Sequence, residues 1–125
     1  MPRYGGDPER VALLGFSQGG TLAYRLGLAE PRRFRGVAAL STSLPEEAAA
    51  HADATAVHAL PLLVQHGTAD PMIAVDRARA SRDRLLALGA APQYHEYPMQ
   101  HEISAASMRD LSSWAERIFD LPPAG

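Results

Sequence analysis

Short apolar runs alternate with longer amphipathic stretches along this chain, and each change of period marks a candidate element. Val11-Ala12-Leu13-Leu14 has charge before it and glycine after it, which predicts a buried strand. Gln18 to Ala29 predicts a helix with Leu22, Ala23 and Leu26 on one face, stopped by Pro31. Gly36-Val37-Ala38-Ala39-Leu40 predicts a second strand. After a loop from Ser41 to Pro45, an alanine-rich stretch predicts a helix from Glu46 towards His58. Leu62-Leu63-Val64-Gln65 predicts a third strand, entered through Pro61, where a proline is tolerated. Val75 to Leu88 predicts a helix, with Gly89 at the position of a left-handed cap. Gln93 to Tyr97 predicts a fourth strand. Ser104 can cap a last helix, whose face would be Met108, Leu111, Ala115 and Ile118.

Strand and helix therefore alternate four times. That order predicts an α/β fold: about four parallel strands in an open sheet, with helices on both faces. Ligands of such sheets bind beyond the carboxyl ends of the strands, so the residues that follow each strand matter most.

Composition narrows the classes without choosing among them. With 125 residues, 46% apolar and 21% charged, the chain suits one soluble domain, residues 1–125. A net charge of −2 gives no reason to expect nucleic acid or an anionic membrane as partner. The absence of cysteine excludes disulfides, thiolate metal sites and a cysteine nucleophile. Met1 to Asp7 has no apolar core of a signal peptide, no apolar run reaches spanning length, and the default expectation is a cytoplasmic protein with no membrane insertion. All basic residues are arginine, which reads as coding bias. Arg32, Arg33 and Arg35 around Phe34 read as a solvated loop patch.

The chemistry-bearing residues fall at the strand ends. Gly15-Phe16-Ser17-Gln18-Gly19 is a G-x-S-x-G sequence, which alone would arise by chance in roughly 4% of chains this long. Here a predicted strand ends at it and a predicted helix starts inside it, the arrangement of a nucleophile elbow. Ser17 is then the candidate nucleophile and the Gln18 N–H a candidate oxyanion donor. Gly15 and Gly19 are expected at positions where side chains would obstruct the turn or its packing. The bland alternative is a glycine-rich helix start without chemistry.

Asp70, in the loop after the third strand, is the candidate acid that holds a histidine tautomer; alone it could equally be an Asp-Pro turn residue. Asp53 and Asp76 are rivals that fall in or near helices. His101, after the fourth strand, is the candidate base, with His95 inside the strand as the weaker one. His66 is expected to order the Asp70 loop by hydrogen bonding. Ser, Asp and His occur in the chain order of α/β-hydrolases. Met72 and Ile73 beside Asp70, and Met99 beside His101, are candidate substrate-binding residues. No metal motif occurs, and a surface pair of His51 and His58 is a remote alternative; neither metal nor cofactor is expected.

Together these segments carry a resemblance. Asp7-Pro8-Glu9-Arg10, Gly15-Phe16-Ser17-Gln18-Gly19-Gly20, His66-Gly67-Thr68-Ala69-Asp70 and Tyr97-Pro98-Met99-Gln100-His101-Glu102 resemble the phospholipase/carboxylesterase family of α/β-hydrolases. The glutamine after the serine is its most specific mark. The resemblance covers nearly the whole chain. It implies a serine esterase acting on small carboxylic or acyl (thio)esters through Ser17, Asp70 and His101. Gln100 stands where the family often has glycine, which would narrow the pocket.

The family's early strands, with the loop that supplies a second oxyanion N–H and one pocket wall, have no counterpart before Val11. The expectation is therefore a partial domain, the C-terminal half of the fold, with an unpaired nucleophile-strand edge open to self-association. The alternatives are an inactive remnant or interaction module of the same fold and, further off, a peptidase of that fold.

Overall fold

The computed structural model describes residues 11–120. The Asp7-Pro8-Glu9-Arg10 segment and the N-terminal residues before it lie outside them. Four strands, β1 (Val11–Phe16), β2 (Phe34–Leu40), β3 (Leu62–Gly67) and β4 (Gln93–Tyr97), alternate with α1 (Gln18–Ala29), α2 (Glu46–Ala50), α3 (Val75–Ala87) and α4 (Ala105–Asp120). The strands form one sheet in the order β1-β2-β3-β4, and every pairing is parallel. Their carboxyl ends are in register, with Phe16 opposite Leu40, Leu40 opposite Gln65, and Gly67 opposite Tyr97. The residues after all four strands therefore meet along one edge. No helix among the described residues is long and apolar enough to cross a membrane.

Helices cover both faces of the sheet. On one, Tyr24 and Leu28 of α1 and Leu85 of α3 bury against Val37, Ala39, Leu62 and Val64. On the other, Leu111, Trp114 and Ile118 of α4 cover Ala38, Leu40 and Leu63. The two central strands are thus buried on both sides, which explains their nearly unbroken apolar sequence. Gly36 lies so close under Trp114 and Ile118 that a side chain there would displace them. β4, at the sheet's end, alternates instead: Tyr94 packs towards α3, while Tyr97 reaches α4.

Several elements differ from the sequence expectation, each for a local reason. The expected face of α1 is wrong: Leu22 and Leu26 are exposed, and the helix buries Gly20, Ala23, Tyr24, Gly27 and Leu28. Small residues at Gly20 and Gly27 bring the α1 backbone close to Thr42 and Val37, and that close approach selects the inward face. In α4, Ser107, Leu111, Trp114 and Ile118 point inward, and Met108 is exposed.

The helix expected from Glu46 towards His58 stops at Ala50. Asp53 Oδ1 there takes the Thr55 N–H and hydroxyl, and local bonds of this kind compete with helix continuation. Phe34 and Arg35 open β2 rather than occupying a loop. Arg35 Nη2 donates to the Phe119 carbonyl and its guanidinium sits 5.7 Å from that ring's centre, so it is not part of a solvated patch. β3 runs two residues further than expected, through His66 and Gly67.

Candidate active site

Ser17 stands where β1 turns into α1. It is the N-cap of the helix, with φ 57° and ψ −118°, a left-handed backbone that a non-glycine residue adopts only at a cost of about 1–3 kcal/mol. The surroundings hold it there. Its N–H donates to the Leu40 carbonyl at 2.9 Å, extending the β1–β2 ladder by one bond. Its carbonyl accepts the Gly20 N–H at 2.9 Å as the first helical turn.

A Cβ at Gly15 would fall on the Gly19 carbonyl, so glycine is required at that position. Gly19 differs from the sequence expectation: a Cβ there would meet nothing among the described residues, whereas one at Gly20 would strike the Thr42 side chain. The N–H groups of Gln18 and Gly19 lie in the first turn of α1, beyond the reach of any helix carbonyl.

Asp70 follows β3 and divides its carboxylate between two tasks. Oδ1 accepts the Met72 and Ile73 N–H groups at 2.8 and 2.9 Å, closing the loop on itself. Oδ2 is left to His101 Nδ1, 2.8 Å away. The Asp70 side chain is fully buried, and His101 is 14% exposed. Burial opposes the charge on Asp70, but the hydrogen bonds from Ile73, His101 and Met72 outweigh it and hold the carboxyl below its usual pKa.

His66 is buried in β3; its Nε2–H donates to the Ile73 carbonyl at 2.7 Å and lies 3.6 Å from Asp70 Oδ2. The carbonyl bond fixes its tautomer and orders the Asp70 loop. His66 Nδ1 has no partner among the described residues.

His101 lies in the loop between β4 and α4. With Nδ1–H donating to Asp70, Nε2 is the bare acceptor, and it faces the Ser17 hydroxyl at 3.1 Å. Asp70, His101 and Ser17 thus form one hydrogen-bonded chain. The two loops are tied to each other by the Thr68 N–H on the Tyr97 carbonyl at 2.8 Å and the Ala69 N–H on the Met99 carbonyl at 3.1 Å. Gly67 allows this, because a Cβ there would collide with the Met99 and Gln100 carbonyls.

The rivals are placed elsewhere. Asp53 pairs with Arg32 and Thr55, Asp76 is exposed beside Arg79, and His95 in β4 contacts Gln93. Met72 is exposed, Ile73 half-buried and Met99 buried. No cluster among the described residues could hold a metal ion.

Phe16 was not singled out by sequence, where it is the variable position of the motif. Its ring packs on the His101 imidazole, with centroids 4.9 Å apart and planes tilted by 51°. Ser41, at the end of β2, was read only as a loop residue. It is buried, has φ 54°, and points its hydroxyl at the Glu102 carbonyl of the His101 loop at 3.5 Å. No sequence pattern marks either contact, since each joins the end of one strand to the loop after β4, which is not that strand's neighbour in the sheet.

Among curated proteins, the chain is 36% identical over 116 residues to acyl-protein thioesterase 1 of Mycosarcoma maydis, covering 88% of this chain and 48% of that protein. It is 31% identical over 124 residues to carboxylesterase SOBER1 of Arabidopsis thaliana, covering 90% and 50%. The crystal structure of Arabidopsis thaliana SOBER1 superposes with a TM-score of 0.81 at 29% identity, over 93% of this chain and 56% of that one. The chain thus spans about half the length of the curated relatives it matches. A family model described as Phospholipase/Carboxylesterase matches residues 3–118, and with that extent of match the chain belongs to the phospholipase/carboxylesterase family of α/β-hydrolases.

Proposed function

We propose that this chain carries a serine esterase site that hydrolyses carboxylic or acyl (thio)esters through an acyl-enzyme. The observation that carries the reading is the unbroken hydrogen-bond chain from Asp70 through His101 to Ser17, at 2.8 and 3.1 Å. The names of the relatives, thioesterase and carboxylesterase, support the substrate class.

In this reading His101 Nε2 takes the Ser17 proton as Oγ attacks the carbonyl carbon. The carbonyl π electrons move onto oxygen, where the Gln18 N–H and the positive end of α1 stabilise them. The C–O or C–S bond then breaks, and the leaving group departs with the proton held by His101. Water repeats the sequence on the acyl-Ser17 ester: His101 takes its proton, the hydroxyl oxygen bonds to the acyl carbon, and Ser17 Oγ regains its proton as the acid leaves. Asp70, held ionised, stabilises the imidazolium formed in both halves. Met72 and Ile73 would meet the substrate at the acid loop, and Met99 would support it from beneath.

A fluorophosphonate probe tests the reading, because it reacts covalently with an activated serine. Wild type should be labelled at Ser17, and Ser17→Ala should not. Equal labelling of the two, or labelling mapped to Ser43 or Ser104, would remove Ser17 from the role.

A second reading, association with another copy, is supported by β1. Among the described residues it pairs on one side only, and Val11 and Leu14 are exposed. Unpaired strand edges with apolar side chains are templates for pairing.

A further inference from the structure

β3 is buried on both faces and carries two polar side chains that apolar packing does not explain: His66, which bonds the Asp70 loop, and Gln65. Gln65 is 1% exposed, in a strand that otherwise begins Leu62-Leu63-Val64. A buried amide costs stability unless its hydrogen bonds are made. Gln65 Nε2 makes two: it donates to the Tyr97 hydroxyl at 3.1 Å and to the Ser107 carbonyl at 2.9 Å. The Tyr97 hydroxyl in turn donates to Asp110 Oδ2 at 2.7 Å. One polar column therefore joins the centre of the sheet, the last residue of β4 and the first turns of α4.

The base loop, from Pro98 to Ile103, runs between the two elements that this column ties together. Its far end is fixed by a reciprocal cap: the Ser104 N–H donates to Ser107 Oγ at 2.9 Å, and the Ser107 N–H donates to Ser104 Oγ at 3.1 Å. Its near end is Tyr97, whose carbonyl also receives the Thr68 N–H of the acid loop. Within the loop most bonds are local, with the Glu102 N–H on the Gln100 carbonyl and the Gln100 N–H on Glu102 Oε2. Outward it has the Ala69 bond to the Met99 carbonyl and the long Ser41 contact. The His101 side chain adds its bonds to Asp70 and Ser17 and its packing on Phe16, but the loop backbone has few outward bonds and takes its path from its two ends.

We propose that Tyr97 is a positioning residue: its hydroxyl, held between Gln65 and Asp110, fixes the separation of β4 and α4 and so sets His101 at hydrogen-bond distance from both Ser17 and Asp70. The inference rests on the serine esterase reading for its effect on reactivity, but the placement of His101 is measurable without it. Misplacement of a reacting group by about 1 Å can cost on the order of 10²-fold in rate, so a small movement of the loop would be visible.

The test uses the full chain with Tyr97→Phe, which keeps the ring and removes only the hydroxyl, and with Asp110→Ala and Asp110→Asn at the α4 end of the column. Two quantities are read: the rate of fluorophosphonate labelling at Ser17, and the NMR signal of the His101 Nδ1–H bonded to Asp70. Tyr97→Phe should slow labelling about 10- to 100-fold and broaden or erase the His101 signal. Asp110→Ala should do the same more weakly. Asp110→Asn should restore both, because its amide oxygen still accepts from Tyr97. Val57→Ala, a core change on the other face of the sheet, serves as the control for general loosening.

Labelling and a His101 signal unchanged in both Tyr97→Phe and Asp110→Ala would overturn the proposal. So would the same losses in Val57→Ala. If Tyr97→Phe does not fold, the Asp110 pair decides. If wild type itself is not labelled, the esterase reading fails separately, and the His101 signal across the variants still decides the positioning role.

Discussion

His101 Nε2 lies 3.1 Å from Ser17 Oγ although 84 positions separate the two residues in the chain. Nothing local brings them together. The parallel sheet aligns the carboxyl ends of β1, β3 and β4, and the Phe16 ring beside Ser17 packs on the imidazole. On its other side Asp70 Oδ2 fixes the ring through Nδ1. The imidazole is thus restrained by a strand, a loop carboxylate and the serine itself, with a small part open to solvent.

Asp70 should be far more sensitive than the other acids. Asp70→Asn should lower kcat for a short p-nitrophenyl ester by up to about 10⁴-fold, because the histidine loses the tautomer it needs. Asp53→Asn and Asp76→Asn, which sit in exposed pairs with Arg32 and Arg79, should stay close to the parent. His101→Ala should abolish turnover, and His95→Ala should not. A crippled Asp76→Asn or His95→Ala would move the acid or the base away from the loops described above.

The order of elements was legible because apolar period and punctuation agree along most of the chain. Gln18 to Ala29 and Gln93 to Tyr97 match the observed boundaries, and Gly89 has the left-handed φ, 94°, that its place after α3 suggests. Ser104 does begin a capped helix. Which face of a helix turns inward was less legible. Leu22 and Leu26 are more hydrophobic than Gly20 and Gly27, yet the smaller residues are buried, because backbone proximity to β2 and the chain after it decided the contact.

At the site, residue types at strand ends could be read from the chain. The contacts that Phe16, Ser41 and Gln65 make could not, since each joins segments far apart in the chain that only the assembled sheet and α4 bring together.

The three elbow glycines should differ sharply on substitution. Gly15→Ala puts a methyl into the Gly19 carbonyl, backbone against backbone, and should cost at least the 1–3 kcal/mol typical of overpacking, or prevent folding. Gly20→Ala meets a side chain, Thr42, and should cost somewhat less. Gly19→Ala meets nothing among the described residues and lies in the first turn of α1, where alanine is favoured over glycine by up to about 1 kcal/mol. It should be neutral or stabilising in urea unfolding. Equal losses at Gly15 and Gly19 would show that the turn tolerates less than its described contacts imply.

Acid should weaken the fold through carboxylates whose folded pKa is lowered, Asp70 and Glu96 among them. Asp70 has a folded pKa below its unfolded one, so its contribution is complete above the ordinary carboxylate range and declines as pH falls through the folded value. Glu96 is pulled down to about 2 by hydrogen bonds from Arg79 and Tyr94, against the opposing effect of burial. Its contribution is present above about 4.5 and is lost as pH falls towards 2. The urea midpoint should therefore drop below about pH 4, and Glu96→Gln should flatten part of that drop. A midpoint unaffected by Glu96→Gln between pH 4 and 2 would mean that the Arg79 pair adds nothing to stability, as many exposed pairs do.

The edge of β1 gives the last prediction. Its backbone faces no partner strand among the described residues on the side away from β2, while Val11 and Leu14 are 47% and 57% exposed. The outer surface of α1 adds exposed Leu22 and Leu26 to the apolar area of the molecule. Two copies can satisfy such an edge by pairing β1 with β1 antiparallel about a two-fold axis, a self-complementary contact that closes at the dimer. The chain should therefore elute as a dimer or larger species, with light scattering showing mass that falls on dilution. Leu14→Lys places a charge on that edge, the device by which natural edge strands resist pairing, and should shift the distribution towards monomer without altering helix content. A wild-type chain that stays monomeric at high concentration, or a Leu14→Lys variant that associates as strongly as wild type, would rule out β1 as the contact.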